Sequence, residues 1–140
     1  MTANQFGYTV YYDGACPLCN SEMGLLMRRN QAGRLAFVDI SAPQFDAAAL
    51  GVTQDALMAR LHLQARDGSW LIGVPAVQAA YAATGHRRIA RALAHPVVAR
   101  MARPAYDWLA RHRYRLPHWL LRAAHLHASR CAPAHACRLP

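Results

Sequence analysis

Thr9-Val10-Tyr11-Tyr12-Asp13-Gly14-Ala15-Cys16-Pro17-Leu18-Cys19 decides the reading of this chain. Thr9 to Tyr12 is a β-branched and aromatic run, and Asp13-Gly14 stops it, which is the pattern of a buried strand ending in a turn. Pro17 then opens a helical stretch, because its missing N–H has no partner to lose in a first turn. Leu18, Met23, Leu25, Leu26 and Met27 continue that stretch, and Arg28 and Arg29 sit in its last turn, where the helix dipole favours cations. The pair Cys16 and Cys19 therefore lies between a strand and a helix, with the first cysteine at the helix N-terminus.

Working outward, Leu35–Ile40 reads as a second strand, and strand, helix, strand at this length implies a right-handed parallel crossover. Pro43–Leu50 and Thr53–Arg60 read as short helical pieces split by Gly51. Leu61–Ala65 and Trp70–Val74 flank Asp67-Gly68, a strong hairpin signal that predicts a type I′ turn with positive φ at both central residues. An Ala-rich helix follows from Pro75 to Thr84, closed by Gly85. The expected body, residues 1–85, is an α/β fold with the order β-α-β-α-β-β-α. Its sheet should pair Thr9–Tyr12 with Leu35–Ile40 in parallel and carry the 61–74 hairpin antiparallel.

The 140 residues suffice for one domain, and with 54% apolar content a real core can be buried. No run approaches the ~18 apolar residues of a membrane span. Met1 to Gly7 has neither a basic residue nor an apolar block, so no secretory signal is read there and a cytoplasmic location is expected. All 16 basic residues are arginine, and they are unevenly spread: residues 1–84 carry a net −1 and residues 85–140 a net +10. Residues 86–140 thus read as a basic helical extension punctuated by Pro96, Pro104 and Pro117. Ile89, Leu93, Val97 and Met101 form one fourfold stripe that should pack the extension on the body, with 118–140 as a tail. Such an arginine-rich face suits an anionic membrane surface or an acidic protein. Nucleic acid is disfavoured, because no stacking platform or recognised motif accompanies the charge.

In a helix, Cys16 and Cys19 stand three residues apart on one face, within disulfide reach once the first turn adjusts. Free N–H groups and the dipole at the helix N-terminus stabilise a thiolate, so Cys16 is expected to be the more acidic and more exposed thiol, lowered modestly to near 7. Cys19, one turn in, should face inward with an ordinary or raised pKa. That asymmetry makes Cys16 the attacking and Cys19 the resolving thiol of a redox pair.

The nonapeptide Tyr12–Asn20 resembles the thiol-disulfide oxidoreductase DCC family, named for its Asp-x-x-Cys-x-x-Cys signature. The hairpin Leu61–Gly73, and Tyr106 followed by Arg113-Tyr114-Arg115-Leu116, are similar to the family's middle and C-terminal sequence. The resemblance spans residues 7–116 and implies a thioredoxin-like fold, Asp13 as a third signature residue, and a disulfide or thiol substrate with a separate reductant. The cysteine pair itself would carry the electrons, with no cofactor.

Two readings of Asp13 stand side by side. One makes it a proton acceptor or electrostatic tuner of the cysteines; the other makes it a turn residue whose carboxylate accepts backbone N–H bonds. Gly73-Val74-Pro75-Ala76 superficially resembles the cis-proline turn that faces the cysteines of thioredoxins. There the proline precedes the hairpin, whereas here it follows, so a trans Pro75 at a helix start is favoured. His125, His127, Cys131, His135 and Cys137 crowd the tail. They leave open a flexible tail with incidental thiols, a second redox pair, or zinc ligation. The rival functions are accordingly a zinc protein using Cys16 and Cys19 with tail ligands, and a non-catalytic module docking through its arginines.

Overall fold

A computed structural model describes residues 7–117, 119, 120, 122 and 123. Strand β1 (Tyr8–Tyr12) leads through helix α1 (Pro17–Arg29) to β2 (Leu35–Asp39). A 3-10 turn (Ala48–Leu50) and α2 (Gln54–Ala59) precede the hairpin of β3 (His62–Ala65) and β4 (Trp70–Ile72). Helices α3 (Val74–Ala83), α4 (Arg87–Ala94) and α5 (Pro96–His112) complete the described chain. The four strands form one mixed sheet in the order β2-β1-β3-β4, with β1 and β2 parallel and the other neighbours antiparallel. This is the expected thioredoxin-like α/β core with added C-terminal helices.

The alternation of β1 sorts the core into two layers, since successive side chains leave a strand on opposite faces. Val10 and Tyr12 meet Met23 and Leu26 of α1 and Ala76 and Ala80 of α3, with Leu35 and Leu63 between them. Tyr11, on the other face, packs with Ile40, Ala47 and Leu57, bordered by Phe45 and Trp70. The sheet is therefore covered by α1 and α3 on one side and by α2 and the 3-10 turn on the other. Both layers converge at the C-terminal end of β1, from which the cysteine loop departs.

Three sequence expectations need correction. Asp67-Gly68 does close a hairpin, in the register His62↔Ile72 to Gln64↔Trp70. The loop, however, is the three residues Arg66-Asp67-Gly68, closed by the Gly68 N–H on the Ala65 carbonyl at 2.9 Å, and Gly68 alone has a positive φ, of 87°. A left-handed glycine ending a three-residue loop replaces the type I′ turn. Asp67 prefers this arrangement because its carboxylate accepts both the N–H and the hydroxyl of Ser69, at 2.9 and 2.6 Å. Secondly, Pro43–Ala47 is turn rather than helix, and the 3-10 segment starts only at Ala48.

Thirdly, the stripe Ile89-Leu93-Val97-Met101 is not continuous. His95 is extended and Pro96 begins a new helix, so the first two residues belong to α4 and the last two to α5. Val97 is 60% and Met101 70% exposed. The half-buried part of α5 is instead its far end, around Tyr106 and Leu109, reached by a helix that runs through Pro104. A proline there removes one backbone hydrogen bond; just beyond it Tyr106 accepts the Leu61 N–H and Asp107 pairs with Arg60 at 3.1 Å. Pro75 is trans and lies in the first turn of α3, as expected. Among the described residues no helix is long and apolar enough to cross a membrane.

Candidate functional site

The loop between β1 and α1 is held by hydrogen bonds that its own sequence supplies. The Asp13 carbonyl accepts the Cys16 N–H at 3.2 Å, and its carboxylate Oδ1 accepts the Ala15 N–H at 3.0 Å. Asp39, at the end of the neighbouring β2, reaches across to accept the Gly14 N–H at 2.9 Å while also accepting the N–H and hydroxyl of Ser41. Gly14 is required by this approach: a Cβ at that position would lie 2.1 Å from Asp39 Oδ2. Together these bonds fix where α1 begins.

Cys16 is the N-cap of α1, in extended conformation, and its sulfur accepts the Cys19 backbone N–H at 3.3 Å. The cysteine thus takes the place that Ser or Asp holds at most helix starts, satisfying an N–H that would otherwise lack a partner. Both cysteines carry free thiols. The Cys16 thiol is lowered to about 6, first by a hydrogen bond from the Cys19 thiol and further by the Cys19 N–H and the Arg113 charge, against burial and the Asp13 charge. Cys19 is pushed far above the ordinary thiol range, because it donates its proton to Cys16, is partly desolvated, and sits beside the Cys16 negative charge. The expected order of acidities is therefore present.

The expected order of exposure is reversed. Cys16 is 0% exposed, while Cys19 is partly exposed. The reason is the cap itself: a side chain that turns back to accept the N–H of the third residue on is folded against its own helix. Cys19, one turn along, lines a cavity of about 90 Å³. Leu18 and Met23 of α1, Leu57 of α2, Val77 of α3 and Leu109 and Ala110 of α5 form its apolar walls. Asp13, Glu22, Arg60 and Arg113 supply the charged groups of its lining.

The third signature residue, Asp13, is 2% exposed, and its carboxylate accepts a backbone N–H at the turn, as the second of its two readings expects. Besides accepting the Ala15 N–H, its carboxylate pairs with Arg113 at 3.4 Å and accepts the Tyr114 hydroxyl. Arg113 also donates to the Met58 carbonyl, and its Nη1 lies 4.0 Å from the Cys19 sulfur. Tyr106 of α5 accepts the Leu61 N–H at 2.8 Å, so the backbone just before β3 is held by a tyrosine. Arg113, Tyr114 and Tyr106 complete the site, yet the residue pattern did not single them out as partners of the cysteines. Arg113 is one of eleven arginines after residue 84, and only the family likeness marked the Arg-Tyr-Arg run.

Among the described residues no three His, Cys, Asp or Glu side chains converge as a metal site. The tail group His125, His127, Cys131, His135 and Cys137 lies outside the described residues.

The sequence profile of the DCC1-like thiol-disulfide oxidoreductases matches residues 10–119, and the chain belongs to that family. It is also 32% identical over 104 residues to an uncharacterised chloroplastic protein of Arabidopsis thaliana, an overlap of 73% of this chain and 49% of the relative. The chain thus spans about half the length of the curated relative it matches. No solved structure gives a significant match. Cys16 and Cys19 both lie within the residues that the family profile matches.

Proposed function

We propose that the protein is a reductase-like thiol-disulfide oxidoreductase whose Cys16 thiolate attacks a substrate disulfide and whose Cys19 resolves the product. The observation that carries this reading is the cap: the Cys16 sulfur receives the Cys19 N–H at the positive end of α1, where a thiolate is stabilised. The Cys16 thiolate would bond one sulfur of the substrate and expel the other as a thiolate. Cys19 would then lose its proton and attack the Cys16 sulfur, releasing the second substrate thiolate and leaving a Cys16–Cys19 disulfide. Cys16 is buried, so engaging a disulfide requires local opening at the α1 N-terminus.

The size of the shift on Cys16 favours this direction. With Cys16 at about 6, the reduced form gains roughly one pKa unit at pH 7. That unit is about 1.4 kcal/mol, or about 30 mV for a two-electron couple. A bias this small supports a pair poised as a reductant. No cofactor is called for, since the two sulfurs hold the electron pair.

The test is turnover of a chromogenic disulfide by the full chain, with equilibration in glutathione buffers. Cys16→Ser should abolish turnover, and Cys19→Ser should accumulate a mixed disulfide on Cys16. The potential should fall in the roughly −200 to −270 mV span of glutaredoxins and thioredoxin. A value near about −120 mV, that of a strong oxidant, would overturn the direction.

A further inference from the structure

A pair that reduces a substrate must itself be re-reduced, and the structure offers two unlike sulfurs for that step. Cys16 is enclosed and absent from the cavity wall, whereas Cys19 forms part of it. Resting on the redox reading above, we propose that this cavity receives the reductant, a small thiol with an apolar body, and that its sulfur attacks Cys19 rather than Cys16.

Three observations converge on this. A molecule in the cavity meets the sulfur of Cys19 and not that of Cys16, which is no part of the wall. Attack there makes Cys19 the central sulfur and Cys16 the leaving one, the order that disulfide exchange needs. Arg113 Nη1, 4.0 Å from the Cys19 sulfur, places a positive charge where an incoming thiolate arrives. The walls are apolar, and about 90 Å³ admits a thiol of a few heavy atoms rather than a peptide strand.

The chemistry balances with two equivalents of thiol. The first thiolate bonds the Cys19 sulfur, the Cys16–Cys19 bond breaks, and Cys16 leaves as a thiolate held by the Cys19 N–H. A second thiolate attacks the small-molecule sulfur of the mixed disulfide, yielding the oxidised small disulfide and a Cys19 thiolate, which takes up a proton. The acidity of Cys16 favours its role here, since a less basic thiol leaves faster.

The oxidised 140-residue protein would be mixed with 1-propanethiol, quenched in acid during the reaction, alkylated with a maleimide and mapped by fragment ions. The propylthio group should be found on Cys19 and the maleimide on Cys16; the opposite placement overturns the proposal. On the unmodified protein, thiolate-corrected rates should favour 1-propanethiol over glutathione by about tenfold or more, the scale on which apolar pockets discriminate. Equal rates would also overturn it. Ala110→Phe, which fills the cavity, should slow reduction by 1-propanethiol by about tenfold and leave the midpoint potential unmoved. A potential that moves with the rate counts against docking, because it locates the effect in the pair. Oxidised protein that contains no Cys16–Cys19 bond would bring down the redox reading and this one together.

Discussion

The two regions that meet at Asp13 are built on different length scales. The loop from Tyr12 to Cys19 is fixed by bonds between residues 2, 3 and 25 positions apart. The end of α5 and the residues after it reach the site across 45, 55, 94 and 101 positions. The first region supplies the chemistry: two sulfurs, a helix end and an acid. The second supplies the counter-charge and the wall of a cavity. A cysteine motif written locally is thus flanked and enclosed by a distant segment.

The largest effect should come from breaking the join. Arg113→Ala leaves the Asp13 carboxylate buried without its cation, which costs about 3–5 kcal/mol for such pairs. Urea unfolding measures it, and a loss below about 1 kcal/mol would show the pair behaving as a surface contact. In the folded fraction the charges act on Cys16 with opposite signs. Arg113→Ala should move the midpoint of Cys16 alkylation to higher pH, and Asp13→Asn to lower pH.

Next comes the local half alone. Gly14→Ala drives a Cβ into an Asp39 carboxylate held by Ser41, and overpacking of this kind costs about 1–3 kcal/mol. Gly24→Ala, inside α1 with only an Arg28 side-chain end nearby at 3.6 Å, is the control and should gain about 0.5–1 kcal/mol. Equal responses at the two glycines would mean that Asp39 does not hold the loop.

The pH dependence sharpens the contrast between the two sulfurs. Above about pH 6 the reduced pair should bind one proton rather than two, because Cys16 is ionised while Cys19 keeps its proton. The potential should then fall by about 60 mV per pH unit below that point and by about 30 mV above it. A single slope from pH 5 to 8 would contradict the acidity of Cys16. The smallest effect expected is Tyr106→Phe, which removes the acceptor of the Leu61 N–H and should cost about 1 kcal/mol in thermal or urea unfolding.

The same division of length scales governed what could be read in advance. Strand β1, the start of α1 at Pro17 and the hairpin pairing follow from neighbouring residues, and they stand where the pattern puts them. The turn type was missed because the Ser69 bonds to Asp67 compete with an Asp-Gly geometry that considers only those two residues. The exposure of Cys16 was misjudged because helix position speaks to charge, while the cap rotamer decides access. The stripe Ile89-Leu93-Val97-Met101 is helical in spacing, but the break at His95-Pro96 separates its halves. That Arg113 among eleven arginines would reach Asp13 was beyond any periodicity, since the partners lie 100 positions apart.

The bond from Tyr114 to Asp13 joins positions 101 residues apart, and so it carries a consequence for biosynthesis. A ribosome releases the chain from the N-terminus at about 5–20 residues per second. The two sulfurs therefore emerge several seconds before the residues that neutralise and wall them exist. Closing so long a loop is also entropically slower than forming the strand-helix unit beside it. During that interval the nascent chain carries its two sulfurs uncovered, and enclosure by the end of α5 comes after the strand-helix unit has formed.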